Sequence, residues 1–278
     1  MSKGIITRIN KDLYTVSSDT EVFDCRESGK ILYKKVKPTV GDYVLFDKET
    51  LRINEILPRK NSLIRPLISN IDKLFIITSV KKPDFSSFLL DKLLLIALSN
   101  NIKPIIIFTK EDLLNLKEKI CIKKYKKYYK SLGYIVYSNT QIKKIKKEFK
   151  KSIIALTGQT GAGKSSLLNR LSKDLKLETN EISEALGRGK HTTRMVTLYN
   201  LFGGLIADTP GFSSLELSIN KDDIKKYSKE FNVECKYKGC KHINEDGCKI
   251  INKLSKNKIY DERYKNYVKL IKEVEKWY

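Results

Sequence analysis

A chain of 278 residues can bury a substantial core and hold two or three domains. Its formal net charge of +23, from 55 Lys and Arg against 32 Asp and Glu, favours a polyanionic partner through counterion release. No segment approaches the ~18 uninterrupted apolar residues of a membrane span, and the start, Met1-Ser2-Lys3-Gly4-Ile5, lacks the apolar stretch of a signal peptide, so a cytoplasmic chain with reduced thiols is expected.

Residues 1–65 read as a run of short strands: Ile5 to Ile9, Leu13 to Val16, Ile31-Leu32-Tyr33, Tyr43 to Phe46 and Leu51 to Leu57. Turn signals such as Val40-Gly41-Asp42 separate them. Five short strands in this length suit an OB-type β-barrel, a fold that commonly binds nucleic acid, with a plain structural barrel as the alternative. The basic and aromatic residues Tyr33, Lys34, Lys35 and Lys37 favour RNA.

From Ile71 the pattern changes to strand–helix alternation, which predicts a doubly wound α/β domain over residues 66–214. Leu74 to Thr78 is a strand, and Ser86 or Ser87 caps the helix that runs through Leu98. Three further strand–helix units lead to a phosphate loop. The strand Lys103 to Phe108 ends at Thr109-Lys110-Glu111-Asp112, on the carboxyl edge where open α/β sheets bind ligands. An Asp there can accept hydrogen bonds from N1–H and the exocyclic amine of guanine, which adenine cannot offer. Such a site discriminates by roughly 10⁴-fold or more. The Lys110 stem would lie along the base plane. The alternative is a charged helix start capped by Thr109 or Asp112. Ser138 and Asn139, after the strand Tyr134 to Tyr137, are candidates for the backbone N–H that meets the guanine O6. Lysine runs at Lys123 to Lys130 and Lys143 to Lys151 read singly as solvated helix faces.

Ser152 to Thr157 is an apolar strand followed by Gly158-Gln159-Thr160-Gly161-Ala162-Gly163-Lys164-Ser165, which fits G-x-x-x-x-G-K-[ST] at every specified place. The glycines let backbone N–H groups wrap a phosphate, and the helix beginning at Lys164-Ser165-Ser166 adds its positive dipole end. Lys164 should reach the β- and γ-phosphates, and Ser165 should ligate Mg²⁺. The glycine-rich segment Gly187 to Arg194 offers Thr192 or Thr193 to complete the Mg²⁺ shell; sequence does not separate the two. Leu205-Ile206-Ala207 runs into Asp208-Thr209-Pro210-Gly211, where Asp208 can hold Mg²⁺ through a water and the Gly211 N–H can sense the γ-phosphate. Phe212 follows Gly211 where a water-orienting Gln would stand in common small GTPases. Intrinsic hydrolysis should therefore be slow, or another group must position the water; His191 is the candidate, the alternative being a phosphate contact or a simple loop residue. Base-reading motif, phosphate loop and switches thus occur in circularly permuted order.

Beyond residue 214, helices are expected around Cys235-x₄-Cys240-x-His242-x₅-Cys248. Three thiolates and one imidazole suit a tetrahedral structural zinc site, and reduced thiols favour zinc over a disulfide. Cys25 and Cys121 lie far from this cluster and read as plain buried residues. No internal repeat or low-complexity linker is visible, nor an oligomer seam, so a monomer is expected.

In motif order, in the Gly158 to Ser165 loop, in Arg188-Gly189-Lys190-His191-Thr192-Thr193-Arg194, in Asp208-Thr209-Pro210-Gly211-Phe212, in the Cys/His spacing and in Asn70-Ile71-Asp72, the chain resembles the bacterial small ribosomal subunit biogenesis GTPases of the RsgA (YjeQ) family. The resemblance covers nearly the whole chain. It implies an OB-type barrel (1–65), a circularly permuted P-loop GTPase domain (66–214) and a helical zinc-binding domain (215–278). It further implies late maturation of the small subunit, GTPase activity stimulated by that particle, contacts to its 16S rRNA and a helper role in hydrolysis at His191. Many members carry Asn where this chain has Thr109, so an amide that can brace base and phosphate loop is lost. Two other readings compete: an RNA-binding module with a regulatory, low-turnover nucleotide site, and a permuted GTPase serving the large subunit or another RNA.

Overall fold

The computed structural model describes residues 1–19, 21–34, 36–63, 67–172, 196–208, 219 and 221–275. The first strands are β1 (Ser2–Asn10), β2 (Leu13–Ser18) and β3 (Glu21–Glu27), followed by the short helix α1 (Gly29–Lys34), β4 (Tyr43–Asp47) and β5 (Arg52–Ile56). β1 pairs antiparallel with both β2 and β4, β3 runs parallel to β5, and β5 returns to β4, so the circuit closes into a barrel. Alternate inward residues Ile6, Tyr14, Val16, Val44 and Phe46 fill it together with Cys25 and Ile53.

The barrel departs from expectation at two elements. Ile31-Leu32-Tyr33 is not a strand but part of α1. Only Ile31 enters the barrel core, while Tyr33 is 90% exposed, so this apolar triplet is a helical plug with its other side chains in solvent. The missing strand is β3, whose sequence Glu21-Val22-Phe23-Asp24-Cys25-Arg26-Glu27 hides its pattern because only Cys25 is fully buried.

A polar seam joins the barrel to the central sheet. Asp42 is fully buried; it accepts from Arg59 Nε and Nη2 at 2.7 Å each and from the Thr39 N–H at 2.7 Å. Gly41, at φ +87°, lies against the Ser69 backbone so closely that a Cβ would sit 2.2 Å from the Ser69 carbonyl oxygen. Asn70 donates to the Gly41 carbonyl at 2.9 Å and accepts from the Lys60 N–H at 2.9 Å. The Asp72 carboxylate accepts from the Ile153 N–H at 2.7 Å. The Asn70-Ile71-Asp72 segment is therefore a joint between barrel, connection and sheet. Two short strands, β6 (Ser62–Leu63) and β7 (Ile68–Ser69), pair beside it.

The central sheet contains β8 (Lys73–Ser79), β9 (Lys103–Thr109), β10 (Ile135–Ser138), β11 (Ile153–Thr157), β12 (Thr197–Leu201) and β13 (Gly204–Asp208). Strands β10, β9, β8, β11 and β13 lie side by side and all parallel, in that order; β12 is antiparallel and meets β1 at Arg8↔Thr197. Ile105, Ile106, Ile107 and Phe108 are all fully buried, so the sheet needs cover on both faces. Helices α2 (Ser87–Ser99) and α3 (Leu116–Ser131) contribute to the core on one face, and α4 (Ile142–Lys147) and α5 (Lys164–Ser172) to that on the other. Of the strand–helix units expected after α2, β9–α3 and β10–α4 precede the phosphate loop, and the loop lies inside the third, β11–α5.

Ser86 caps α2 by accepting from the Leu89 N–H at 3.2 Å. α2 is buried nearly all round because it lies between the sheet and the C-terminal helices α6 (Lys221–Tyr227) and α7 (Lys258–Glu275). Phe231, Ile250, Tyr267, Leu270 and Ile271 form a separate core there, into which Leu95 of α2 inserts. Among the described residues no helix is long and apolar enough to cross a membrane. Cys25 is buried as expected, but Cys121 is exposed because it stands on the solvent side of α3.

Candidate functional site

Parallel register brings the carboxyl ends of the central strands to one edge: Ser79 pairs with Thr109, Ser138 with Phe108 and Thr157 with Ile76. The loop Gly158 to Gly163 leaves this edge from β11 and enters α5 at Lys164. Gly158 adopts φ +140°, and a Cβ there would lie 2.1 Å from the Ile77 carbonyl oxygen, so the loop can press onto β8 only with glycine. Gly161 and Gly163 also take positive φ, which turns successive backbone N–H groups into a concavity suited to an anion. The Lys164 ammonium donates to the carbonyls of Gly158 at 2.6 Å and Gln159 at 2.9 Å. Burial lowers its pKa from the ordinary lysine value. Thr160, Ser165 and Ser166 are exposed, while Ala162 is buried.

The base-reading segment stands directly beside this loop. Thr109 is buried, and its hydroxyl donates to the Ala162 carbonyl at 2.6 Å. Threonine in place of asparagine thus keeps a brace to the phosphate loop. Lys110 takes a left-handed conformation, φ 61°, and its ammonium donates to the Lys82 carbonyl. The next residues form a 3₁₀ turn, Glu111–Leu113. Asp112 is exposed and has no hydrogen-bond partner among the described residues, which leaves both carboxylate oxygens free to accept from a base. Glu111 differs: its carboxylate receives Lys126 at 2.6 Å, and the same ammonium donates to Ser138 Oγ at 2.6 Å. The Asn139 N–H donates to the Phe108 carbonyl at 2.8 Å, holding the Ser138–Asn139 turn next to Thr109.

Lys126 is the residue that sequence reasoning misses. It lies in a lysine run that reads as a solvated face, yet it points inward, 5.3 Å from the Phe108 ring centre, and ties the base-reading turn to the β10 loop. Its only signal is the helical phase it shares with buried Ile122, Tyr125 and Tyr129. Asp208 ends β13 at the same edge; its side chain lies outside the described residues, as do His191, Thr192, Thr193 and Gly211.

A second site lies among the C-terminal helices. Cys235, Cys240, His242 and Cys248 place their ligand atoms within 4.8 Å of one another. His242 Nδ1 is 3.4, 3.3 and 3.2 Å from the sulfurs of Cys235, Cys240 and Cys248. The sulfurs of Cys235 and Cys248 are 3.8 Å apart. A tetrahedron with metal–sulfur bonds of about 2.3 Å has sulfur–sulfur edges of about 3.8 Å, so the donor set fits a metal ion at its centre. His242 Nε2 lies 2.9 Å from the Phe231 carbonyl, and donation there fixes the tautomer that turns a lone pair on Nδ1 towards the cysteines. Burial lowers the imidazole pKa, the direction that favours the neutral form a metal ligand requires.

This C-terminal unit is clamped to α2 by buried charge. Arg263 of α7 lies 2.9 Å from Asp91 Oδ1 and donates through Nε to Glu230 at 2.6 Å, with its guanidinium 4.6 Å from the Tyr129 ring centre. The Arg263–Asp91 contact is an ion pair and not an aligned hydrogen bond, since Nη1 has no acceptor in good geometry. Asp91 also accepts from Tyr129 at 2.9 Å and Asn266 at 2.7 Å. Burial pushes the Asp91 and Glu230 carboxyls up, and Arg263 works against that shift.

A parallel sheet with a glycine-rich phosphate loop on its carboxyl edge, and a base-reading turn contributed by an earlier strand of the chain, defines a circularly permuted P-loop GTPase. The comparisons with known proteins narrow this. The RsgA GTPase family model matches residues 56–218, and the RsgA N-terminal domain model matches residues 3–53. The chain belongs to the RsgA GTPase family, and it is a GTPase. A small ribosomal subunit biogenesis GTPase RsgA from Halalkalibacterium halodurans is 40% identical over 286 residues, covering 99% of this chain and 97% of the relative. One from Streptococcus mutans is 43% identical over 280 residues, covering 98% and 95%. Among solved structures, the circularly permuted GTPase YloQ superposes with a TM-score of 0.84 at 32% identity, covering 100% of this chain and 96% of that one. YjeQ from Thermotoga maritima gives 0.84 at 31% identity, with 98% of each chain covered.

Proposed function

We propose that this GTPase acts in late assembly of the small ribosomal subunit, hydrolysing GTP as a checkpoint on that particle and contacting its 16S rRNA. The observation that carries this is the shared nucleotide edge: Thr109, Asp112 and the Gly158 to Ser165 loop converge in a chain whose full-length relatives bear that name. The formal net charge of +23 supports an RNA-rich partner. A barrel at 1–65, a nucleotide domain at 66–214 and a metal-binding helical domain at 215–278 divide the work, in a cytoplasmic monomer.

In this reading the N–H groups from Gly158 to Ser166 cradle the phosphates, and Lys164 exchanges its loop carbonyls for the β- and γ-phosphate oxygens. Asp112 selects guanine, Lys110 lies along the base, and the turn at Ser138 and Asn139 faces O6. Ser165, Thr192 or Thr193, and Asp208 through water would hold Mg²⁺, which supplies charge neutralisation at the phosphates when bound. Gly211 senses the γ-phosphate and His191 orients water. Cys235, Cys240, His242 and Cys248 would hold one structural Zn²⁺, which cross-links the loops around the C-terminal core.

The test is GTP hydrolysis by the purified chain with and without small ribosomal subunits, with ATP as control. Stimulation by the particle and indifference to ATP is the expected result. Equal slow rates with and without the particle would overturn the checkpoint.

A further inference from the structure

The outer face of α3 is built differently from an ordinary solvated helix. The helix starts at a capping box, with Asn115 Oδ1 accepting from the Glu118 N–H at 2.9 Å and Glu118 Oε2 accepting from the Asn115 N–H at 2.8 Å. Ile122, Tyr125 and Tyr129 form its buried side. On the opposite side, Leu116 is 80% exposed and Ile120 58%, and Leu113 in the preceding turn is 44% exposed. Lys123, Lys127 and Lys130 continue the same stripe, with Lys117 and Lys124 beside it, all exposed or nearly so. At 1.5 Å per residue the stripe from Leu116 to Lys130 is about 21 Å long. Lys81 and Lys126 are taken up by Glu118 and Glu111. The stripe lysines have no acidic partner among the described residues. The face is therefore aliphatic at one end and uncompensated cationic charge at the other.

We propose that this face docks an acidic protein segment carrying aliphatic side chains, presented by the small ribosomal particle; the inference rests on the function proposed above. Lysines alone would suit RNA or protein equally. Leu113, Leu116 and Ile120 decide between them, because aliphatic side chains offer no ring on which a base can stack. An RNA strand on the lysines leaves those three exposed. An amphipathic acidic segment covers both halves, placing its carboxylates on the lysines and its apolar side chains on Leu116 and Ile120. The location gives the contact a consequence. Leu113 follows Asp112 directly in the same 3₁₀ turn, so a partner seated there orders the turn that reads guanine. By linkage, nucleotide and partner then strengthen each other's binding by the same factor.

Cys121 directly follows Ile120 on α3 and is exposed, whereas Cys25, Cys240 and Cys248 are buried and Cys235 is half-buried. A benzophenone maleimide attached to Cys121 of the full chain, with Cys121→Ser as the attachment control, tests the proposal. The labelled chain is bound to purified small subunits with a non-hydrolysable GTP analogue, sedimented and irradiated. The expected cross-linked product resists ribonuclease and is destroyed by protease. Leu116→Ser/Ile120→Ser and Lys123→Glu/Lys124→Glu/Lys127→Glu should each lower its yield roughly tenfold with an unchanged melting temperature. A chain that sediments with the particle but cross-links only to rRNA, or to nothing, overturns this inference alone; so does an unchanged yield in both variants. A chain that does not sediment with the particle overturns the proposed function, and this inference with it.

Discussion

Thr109→Val is the sharpest probe of the nucleotide edge. It preserves side-chain shape while deleting the hydroxyl that donates to the Ala162 carbonyl at 2.6 Å. Both residues are buried, so water cannot readily replace the donor. Losing a hydrogen bond to a buried carbonyl costs about 1–3 kcal/mol. If the bond holds the phosphate loop in its binding shape, that cost appears in nucleotide affinity as a loss of about fivefold to 150-fold. Thr109→Ser keeps the hydroxyl and should stay near the parent. Equilibrium titration with a fluorescent GDP analogue reads the affinity, and a thermal melt on the same samples separates loop order from global stability. A valine variant within about twofold of the parent in affinity would refute the idea that Thr109 orders the loop.

Other changes test neighbouring parts. Asp112→Asn replaces an acceptor by an amide donor facing guanine's own donors; GTP affinity should fall by roughly 10²-fold or more while xanthosine triphosphate, with its C2 carbonyl, gains, and equal losses for both would count against base reading at this position. Cys248→Ser should abolish the single zinc expected by atomic emission and lower the melting temperature, because Cys248 is buried in the C-terminal core; full zinc content in the variant would sink the ligand assignment. Arg263→Met leaves Asp91 and Glu230 buried without their shared cation and should destabilise by about 3–5 kcal/mol in denaturant unfolding; a loss below about 1 kcal/mol would mean the clamp is not holding α7 to α2. For Glu148, burial acts to raise the carboxyl pKa, but hydrogen bonds from Tyr137 and Lys73 outweigh it and hold the value below the usual 4.5. A depressed folded value stabilises above the unfolded pKa and is lost as pH falls through the folded one, so Glu148→Gln should flatten the acid limb of a stability–pH curve below about pH 4.5.

How much of this molecule is legible in its sequence depends on which constraints are local. The phosphate loop is legible because each of its glycines answers a backbone demand of the loop itself or of the strand beneath it, such as Gly158 against Ile77. The Cys/His cluster is legible because four ligands within fourteen residues need no distant partner. Strands such as Lys103–Thr109 are legible because both faces are buried and the composition shows it. β3 is not, because in a barrel wall only one residue of that strand has to be apolar and fully enclosed. α1 reads as a strand because Ile31-Leu32-Tyr33 is apolar and β-prone, whereas the fold uses a single one of the three as a plug. Lys126, Asp91, Glu230 and Arg263 are hidden for a different reason. Each is a charged residue whose partner lies on another element, up to 172 residues away for Asp91 and Arg263, and composition alone assigns such residues to the surface.

These hidden charges tie the C-terminal helices to the nucleotide domain. α2 lies between the sheet that carries the nucleotide edge and the C-terminal helices. Its capped N-terminus follows β8, whose Ile77 carbonyl abuts Gly158, and its middle carries Asp91 into the Arg263 pair. A buried ion pair is a poor source of net stability, but it is costly to break and tolerates little change in geometry. The Arg263 pairs therefore couple a tilt of α2 to α7 and, through it, to the Cys/His cluster. An apolar α2–α7 contact of similar area would let the helices slide. A double-mutant cycle between Arg263→Met and Thr109→Val, read as GTP affinity, decides between the two. A coupling well above ~0.5 kcal/mol between residues on separate elements means the clamp transmits the state of the loop, and additivity means that it only holds the C-terminal unit in place.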